Sequence, residues 1–134
     1  VFPDLAFLFK VREGMVSASF CFALKRDASG MIGPASRLCY YPFGNVYDNG
    51  KICWGNTVFP KMTSIKDAEK LIQAFFDAET NNDLYQNRIA EHPEFKEQSG
   101  LLETLKEMEV FPQKWLKENG NQLSNLCVAI RGGK

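Results

Sequence analysis

Two runs of apolar alternation near the start of the chain, separated by Glu13-Gly14, constrain the fold more than any other feature. Leu5, Phe7, Phe9 and Val11 recur at every second position over residues 5–11, and Val16, Ala18, Phe20, Phe22 and Leu24 do the same over residues 15–24. A period of two sends successive side chains to opposite faces of an extended chain, so each run reads as a strand with one apolar face. Glu13-Gly14 has turn chemistry, and two strands joined by so short a link pair as an antiparallel hairpin. Cys21 falls on the same face as Ser17 and Ser19 and reads as a small packing residue.

Residues 25–36, with Asp27, Ser29, Gly30, Gly33 and Pro34, read as a loop, and residues 37–41 as a short third strand that ends at Pro42. Ser64 with Asp67 three residues later is a capping-box-like helix start. Ile65, Ala68, Leu71, Ile72, Phe75 and Phe76 then repeat at helical spacing, and this face is expected to pack on the sheet. Residues 83–90 suit a short helix stopped by His92-Pro93. Leu101, Leu102, Leu105 and Met108 outline another helix, and Pro112 suits the first turn of one more, running through Trp115-Leu116 and ended by Gly120. Residues 123–130 are apolar and read as a closing strand. Strands followed by helices make an α+β layout, taken here as one domain over residues 1–134.

Between the strands and the first helix lies a turn-rich stretch, Tyr41-Pro42-Phe43-Gly44-Asn45-Val46-Tyr47-Asp48-Asn49-Gly50-Lys51-Ile52-Cys53-Trp54-Gly55-Asn56. Asn49-Gly50 is a tight-turn dipeptide because both residue types tolerate positive φ. A reversal there brings Asn45 close to Cys53, eight residues later. The spacing resembles the catalytic loop of ubiquitin-conjugating enzymes, in which a His-Pro-Asn triplet precedes the thioester-forming cysteine through a stretch with Gly and then Ile or Val. Asn45, Tyr47, Gly50, Ile52 and Cys53 fall on that pattern in register. The wider string is similar to the prokaryotic ubiquitin-conjugating-enzyme-like (UBC-like) family D, PRTRC system protein B. Phe43 stands where the His would be and Gly44 where the Pro would be, so the loop-bracing role of that His has no carrier among these residues.

The resemblance covers about the first 80 residues and implies a UBC-like fold, an antiparallel meander sheet followed by a Cys-bearing loop and helices. It implies a thioester carrier in a bacterial ubiquitin-like modification system, with Cys53 as the nucleophile. The implied partners are a ubiquitin-like modifier protein, an adenylating activating enzyme and a JAB-type isopeptidase. Two other readings stay open on the same fold: a non-catalytic module that docks the modifier, and a plasmid-associated structural protein.

A carrier of this kind needs an accessible thiol but no strong base beside it, since a thiol of ordinary pKa near ~8.5 is partly thiolate at neutral pH. Attack of an amine on the thioester builds an oxyanion, for which the Asn45 amide is the natural donor. The competing reading of Asn45 is a side chain that caps backbone groups within the turn. Free Cys often packs as a small hydrophobe, but Cys53 follows Tyr47, Asp48, Asn49, Gly50 and Lys51 rather than sitting in a periodic apolar face. Cys21, Cys39 and Cys127 lie in strand-like runs and read as packing residues. Tyr47 and Trp54 are candidate binding residues; Trp54 can shield a thioester or dock a partner's tail, and a core anchor is the competing reading. His92-Pro93 is followed by Glu94 rather than Asn and is a decoy. Arg131-Gly132-Gly133-Lys134 resembles a modifier's di-glycine tail, but Lys134 follows the glycines and a flexible terminus is the preferred reading.

Sixteen basic and sixteen acidic residues cancel, so no global field favours nucleic acid or an anionic membrane surface. The apolar run at residues 5–9 is far shorter than the ~20 residues a membrane-spanning helix needs. The four cysteines form no C-x-x-C pair and His92 is the single histidine, so no zinc site is expected, and the resemblance implies neither a metal nor an organic cofactor. The cysteine usage fits free thiols in a reducing cytoplasm. The opening Val1-Phe2-Pro3 reads as a cut or processed start, with a segment upstream.

Overall fold

The computed structural model describes residues 1–54, 59, 61–78 and 84–126. Its first two strands are the expected hairpin: β1 spans Asp4–Arg12 and β2 spans Met15–Leu24, paired antiparallel with Phe7 opposite Cys21 and Arg12 opposite Met15. Glu13 at φ 53° and Gly14 at φ 79° supply the two positive-φ residues of a tight hairpin turn. The register shifts between Lys10 and Val11, leaving Ser17 as the extra residue on β2, with its hydroxyl donating to the Lys10 carbonyl at 3.1 Å.

β3 (Arg37–Cys39) pairs with β2, and β4 (Glu118–Gln122) pairs with β3, giving a four-stranded sheet in the order β1-β2-β3-β4. The pleat splits the apolar set in two. Leu5, Phe7, Cys21, Ala23, Cys39 and Tyr41 join the main core, whereas Phe22, Leu24 and Leu38 form a second cluster with Ala6, Phe20, Leu123 and Leu126. The sheet is therefore covered on both faces.

α1 (Ile65–Asp77) covers the Phe7 face. Its start is stabilised by the Asp67 carboxylate, which accepts the backbone N–H groups of Thr63 and Ser64 at 2.8 and 3.0 Å. Leu71 and Phe75 are its buried positions, while Ile65 is 82% exposed and Phe76 lies at the rim. The apolar stripe read from the sequence was thus wider than the buried one. Phe75 meets Phe7, Tyr41 and Trp54 edge to face, with ring centroids 5.4–6.0 Å apart. α2 (Gln98–Lys106) buries Leu101, Leu105 and the polar Gln98.

Three expectations for the second half of the chain are corrected. Residues 84–90 are not helical: Leu84 sits at φ 63°, which breaks a helix, and Ile89 forms an antiparallel bridge with Leu116. The helix expected from Pro112 to Gly120 is a single 3-10 turn, Gln113–Trp115, followed by β4. Pairing with β3 outweighs helix propensity there, and Gly120 lies within the strand at φ 91°. The closing strand is therefore Glu118–Gln122, and residues 123–126 turn into a short helical segment. The remainder of the expected strand, Cys127 and the di-glycine tail lie outside the described residues. No helix among the described residues is long and apolar enough to cross a membrane.

Candidate active site

The chain leaves β3 at Cys39 and passes through Tyr41, Pro42 and Phe43, all buried, before it turns. Phe43, in the position where a His would brace the loop, is 3% exposed and packs edge to face on Tyr41 and Phe111. Gly44 donates its N–H to the buried Gln98 Oε1 at 2.6 Å. Asn45 follows at φ 69°, a left-handed conformation that Asn tolerates better than most residues.

From there the chain forms a narrow hairpin. The Asn45 carbonyl accepts the Cys53 N–H at 2.9 Å, Val46 bridges Ile52, and the Tyr47 N–H donates to the Lys51 carbonyl at 2.9 Å. The tip closes as the sequence suggests: the Gly50 N–H bonds the Tyr47 carbonyl, Gly50 takes φ 89°, and Asn49 Oδ1 accepts the Lys51 N–H at 3.0 Å. The returning arm is held to the sheet, since the Cys21 N–H bonds the Gly50 carbonyl at 2.8 Å and the Ile52 N–H bonds the Ser19 carbonyl at 2.9 Å. With β1 on one edge of β2, these bonds occupy the opposite edge, beyond the point where β3 pairs.

This pairing places Cys53 one residue past the sheet-bound arm, where it is exposed and unbridged. Cys21 and Cys39 are buried free thiols. Burial raises the Cys21 thiol strongly and pushes Cys39 up to about 11, so neither supplies a thiolate at neutral pH. Trp54 turns back into the fold: its indole N–H donates to Ser19 Oγ at 2.5 Å and its ring meets Phe75. This is an anchor's position, fixing the chain just after the thiol. Tyr47 is 46% exposed at the loop tip.

Asn45 and Cys53 also line one small cleft of about 40 Å³ with Tyr41, Gly44, Trp54, Phe75 and Ala78. Such a volume takes water-sized groups rather than an organic cofactor. No three His, Cys, Asp or Glu side chains among the described residues come together as a metal site. His92 is not in the cleft; it contacts the Glu94 carboxylate at 2.7 Å and packs on Trp115. The local chemistry is thus that of an accessible thiol beside a carboxamide residue, without a neighbouring imidazole.

One residue of this site has no signal in the local pattern. Arg88, whose side chain is only 6% exposed, donates through Nη1 to the carbonyls of Tyr41 and Val46, both at 3.1 Å, and through Nη2 to Asp48 Oδ1 at 2.8 Å. It stands 40 to 47 residues away from these partners. A lone Arg in a stretch that resembles a helix says nothing of such contacts.

The model of prokaryotic E2 family D matches residues 1–119, which takes in the hairpin, the Cys53 loop and both helices. No match was found among curated proteins or solved structures.

Proposed function

The chain belongs to prokaryotic E2 family D, and from that premise we propose that it is a thioester carrier of the PRTRC type, with Cys53 as its nucleophile. Family membership implies a general E2-like role, dealing with ubiquitin-like modifiers and the enzymes that activate them. The finer reading takes residues 1–134 as one UBC-like domain acting in the cytoplasm, with a JAB-type isopeptidase as a further partner. The observation that carries it is the exposure of Cys53 on a braced hairpin whose opposite arm presents Asn45, while Cys21 and Cys39 are buried.

In the first step the Cys53 thiolate attacks the thioester carbonyl of a modifier held on its activating enzyme. A new C–S bond forms, the old one breaks, and the enzyme's thiolate leaves. In the second step an acceptor amine attacks the Cys53 thioester, the tetrahedral oxyanion collapses, Cys53 departs as thiolate and the amine proton passes to solvent. A thioester is already activated, so neither step requires a strong base. The Asn45 amide is the donor to the oxyanion of the second step, a role worth ~2.7–4 kcal/mol for one such group.

The test is loading. With its cognate activating enzyme, modifier and ATP, the chain should form an adduct that reductant cleaves, that is absent in Cys53→Ala and that persists as an ester in Cys53→Ser. Asn45→Ala should load normally and discharge slowly, because loading only moves a charge the thiolate already carries, whereas attack by a neutral amine creates the oxyanion charge anew and depends more on the donor. Failure of the wild type to load with active partners would refute the carrier reading and favour a modifier-docking module. Equal loss of loading and discharge in Asn45→Ala would assign Asn45 to holding the turn.

A further inference from the structure

We infer that Arg88 is the positioning residue of the Cys53 loop: its guanidinium clamps the Tyr41 carbonyl, the Val46 carbonyl and the Asp48 carboxylate so that Asn45 keeps its place against Cys53. The catalytic consequence rests on the carrier reading above; the clamp itself does not.

The three acceptors span both ends of one loop arm, from Tyr41 at its start to Asp48 at the hairpin tip. Within that arm, residues 42–45 form no strand or helix, and Asn45 sits in a left-handed conformation that a free chain disfavours. Such a segment keeps its shape only if something outside it holds it. Val46 is the link to the thiol: Arg88 bonds its carbonyl, and Val46 bridges Ile52 next to Cys53. Asn45, one residue earlier, bonds the Cys53 N–H.

Arg88 is itself rigidly mounted. Ile89 bridges Leu116, the Ile89 N–H bonds Asn87 Oδ1 at 3.0 Å, and the Ala90 N–H bonds the Trp115 carbonyl at 2.9 Å. A guanidinium offers five N–H donors in a fixed planar fork, which lets one side chain span three acceptors. Burying it is a poor way to gain stability, since desolvation opposes the attraction. Its Nε is moreover buried with no hydrogen-bond partner among the described residues. That an incompletely satisfied buried cation stands here is accounted for by the geometry it imposes on the loop. Phe43, where the resemblance places a bracing His, has no side-chain donor to offer; Arg88, between α1 and α2, supplies the donors to the loop, while Gln98 of α2 accepts the Gly44 N–H.

Two variants of the full chain test this. Arg88→Met keeps most of the side-chain length without donors, and Arg88→Lys keeps the charge without the fork. Amide hydrogen exchange in residues 41–54 should accelerate about tenfold or more in Arg88→Met, with α2 within about twofold of wild type. Arg88→Lys should fall between. With activating enzyme, modifier and ATP, Arg88→Met should load like wild type and discharge to free lysine about tenfold more slowly, with partial rescue in Arg88→Lys. Unchanged exchange in residues 41–54 overturns the inference, as does acceleration spread evenly over the chain or a loosened loop with unaltered discharge. Should Arg88→Met not fold, the loop exchange of Arg88→Lys decides in the same way. A wild type that never loads removes the carrier reading, while the exchange still decides whether Arg88 clamps the loop.

Discussion

Replacing Gly50 with Ala probes the junction between the loop and the sheet. Gly50 has φ 89°, and a Cβ built there lies 2.5 Å from Cζ of Phe22. Carbon atoms in contact prefer about 3.5–4.0 Å, so ring or turn must move by more than 1 Å. Phe22 cannot swing aside freely, because it is 8% exposed, stacks parallel to Phe20 and packs with Leu24 and Leu38. The left-handed backbone contributes about 1–2 kcal/mol of strain for any residue with a Cβ. Overpacking adds about 1–3 kcal/mol. The expected loss is therefore about 2–5 kcal/mol, a large share of the 5–15 kcal/mol typical of a domain. Gly30→Ala is the internal control: it has φ 81° with nothing within 4 Å of the added Cβ, so it should lose the backbone part alone. Urea unfolding followed by tryptophan fluorescence measures both. If Gly50→Ala and Gly30→Ala agree within about 0.5 kcal/mol, the ring does not fill the space under Gly50 and the reasoning fails. The same mutation should also speed native-state exchange of the Cys21 N–H, whose acceptor is the Gly50 carbonyl.

Phe75→Ala removes the ring that Phe7, Tyr41 and Trp54 share, and should lower stability by about 3–5 kcal/mol; a loss under about 1 kcal/mol would mean that α1 does not seal this face. Native-state labelling with iodoacetamide at neutral pH should modify Cys53 before Cys21 or Cys39, with Cys39 unreactive until the pH nears 11 or the chain unfolds; prior labelling of Cys39 would contradict its burial. Asp4 accepts the Arg26 guanidinium at 2.6 and 3.0 Å, and this hydrogen bond holds its carboxyl below the usual range. A lowered folded-state pKa means that the contribution is present above the unfolded value of about 3.9 and is lost as pH falls through the folded one. Asp4→Asn should accordingly differ from wild type in urea stability at neutral pH by a small, salt-sensitive amount and converge with it in acid; a gap that widens in acid would show the opposite sign.

The hairpin was legible because its two signals are local: period-two alternation names the strands, and Glu13-Gly14 names the turn. Helix α1 was legible for the same reason, with Ser64, Asp67 and the Leu71–Phe75 spacing all within one element. The loop was half legible. Asn49-Gly50 predicts the reversal and hence the approach of Asn45 to Cys53, but what holds that reversal to the sheet is the edge of β2, which no residue of the loop announces. Residues 112–120 read as a helix because Pro112 and Gly120 mark helix ends equally well whether or not a strand partner is available, and here β3 is available.

What the sequence determined by itself is the set of short-range elements and the spacing that brings a carboxamide residue to a cysteine. How the Cys53 thiol is held out to solvent, and what braces its loop, are set by packing across the whole chain. Exposure depends on which edge of β2 the returning arm occupies, and the clamp depends on a contact across 40 residues between Arg88 and Asp48. Such contacts are selected by the packing of the whole chain, and the donors of an arginine leave no periodic trace in the residues around it.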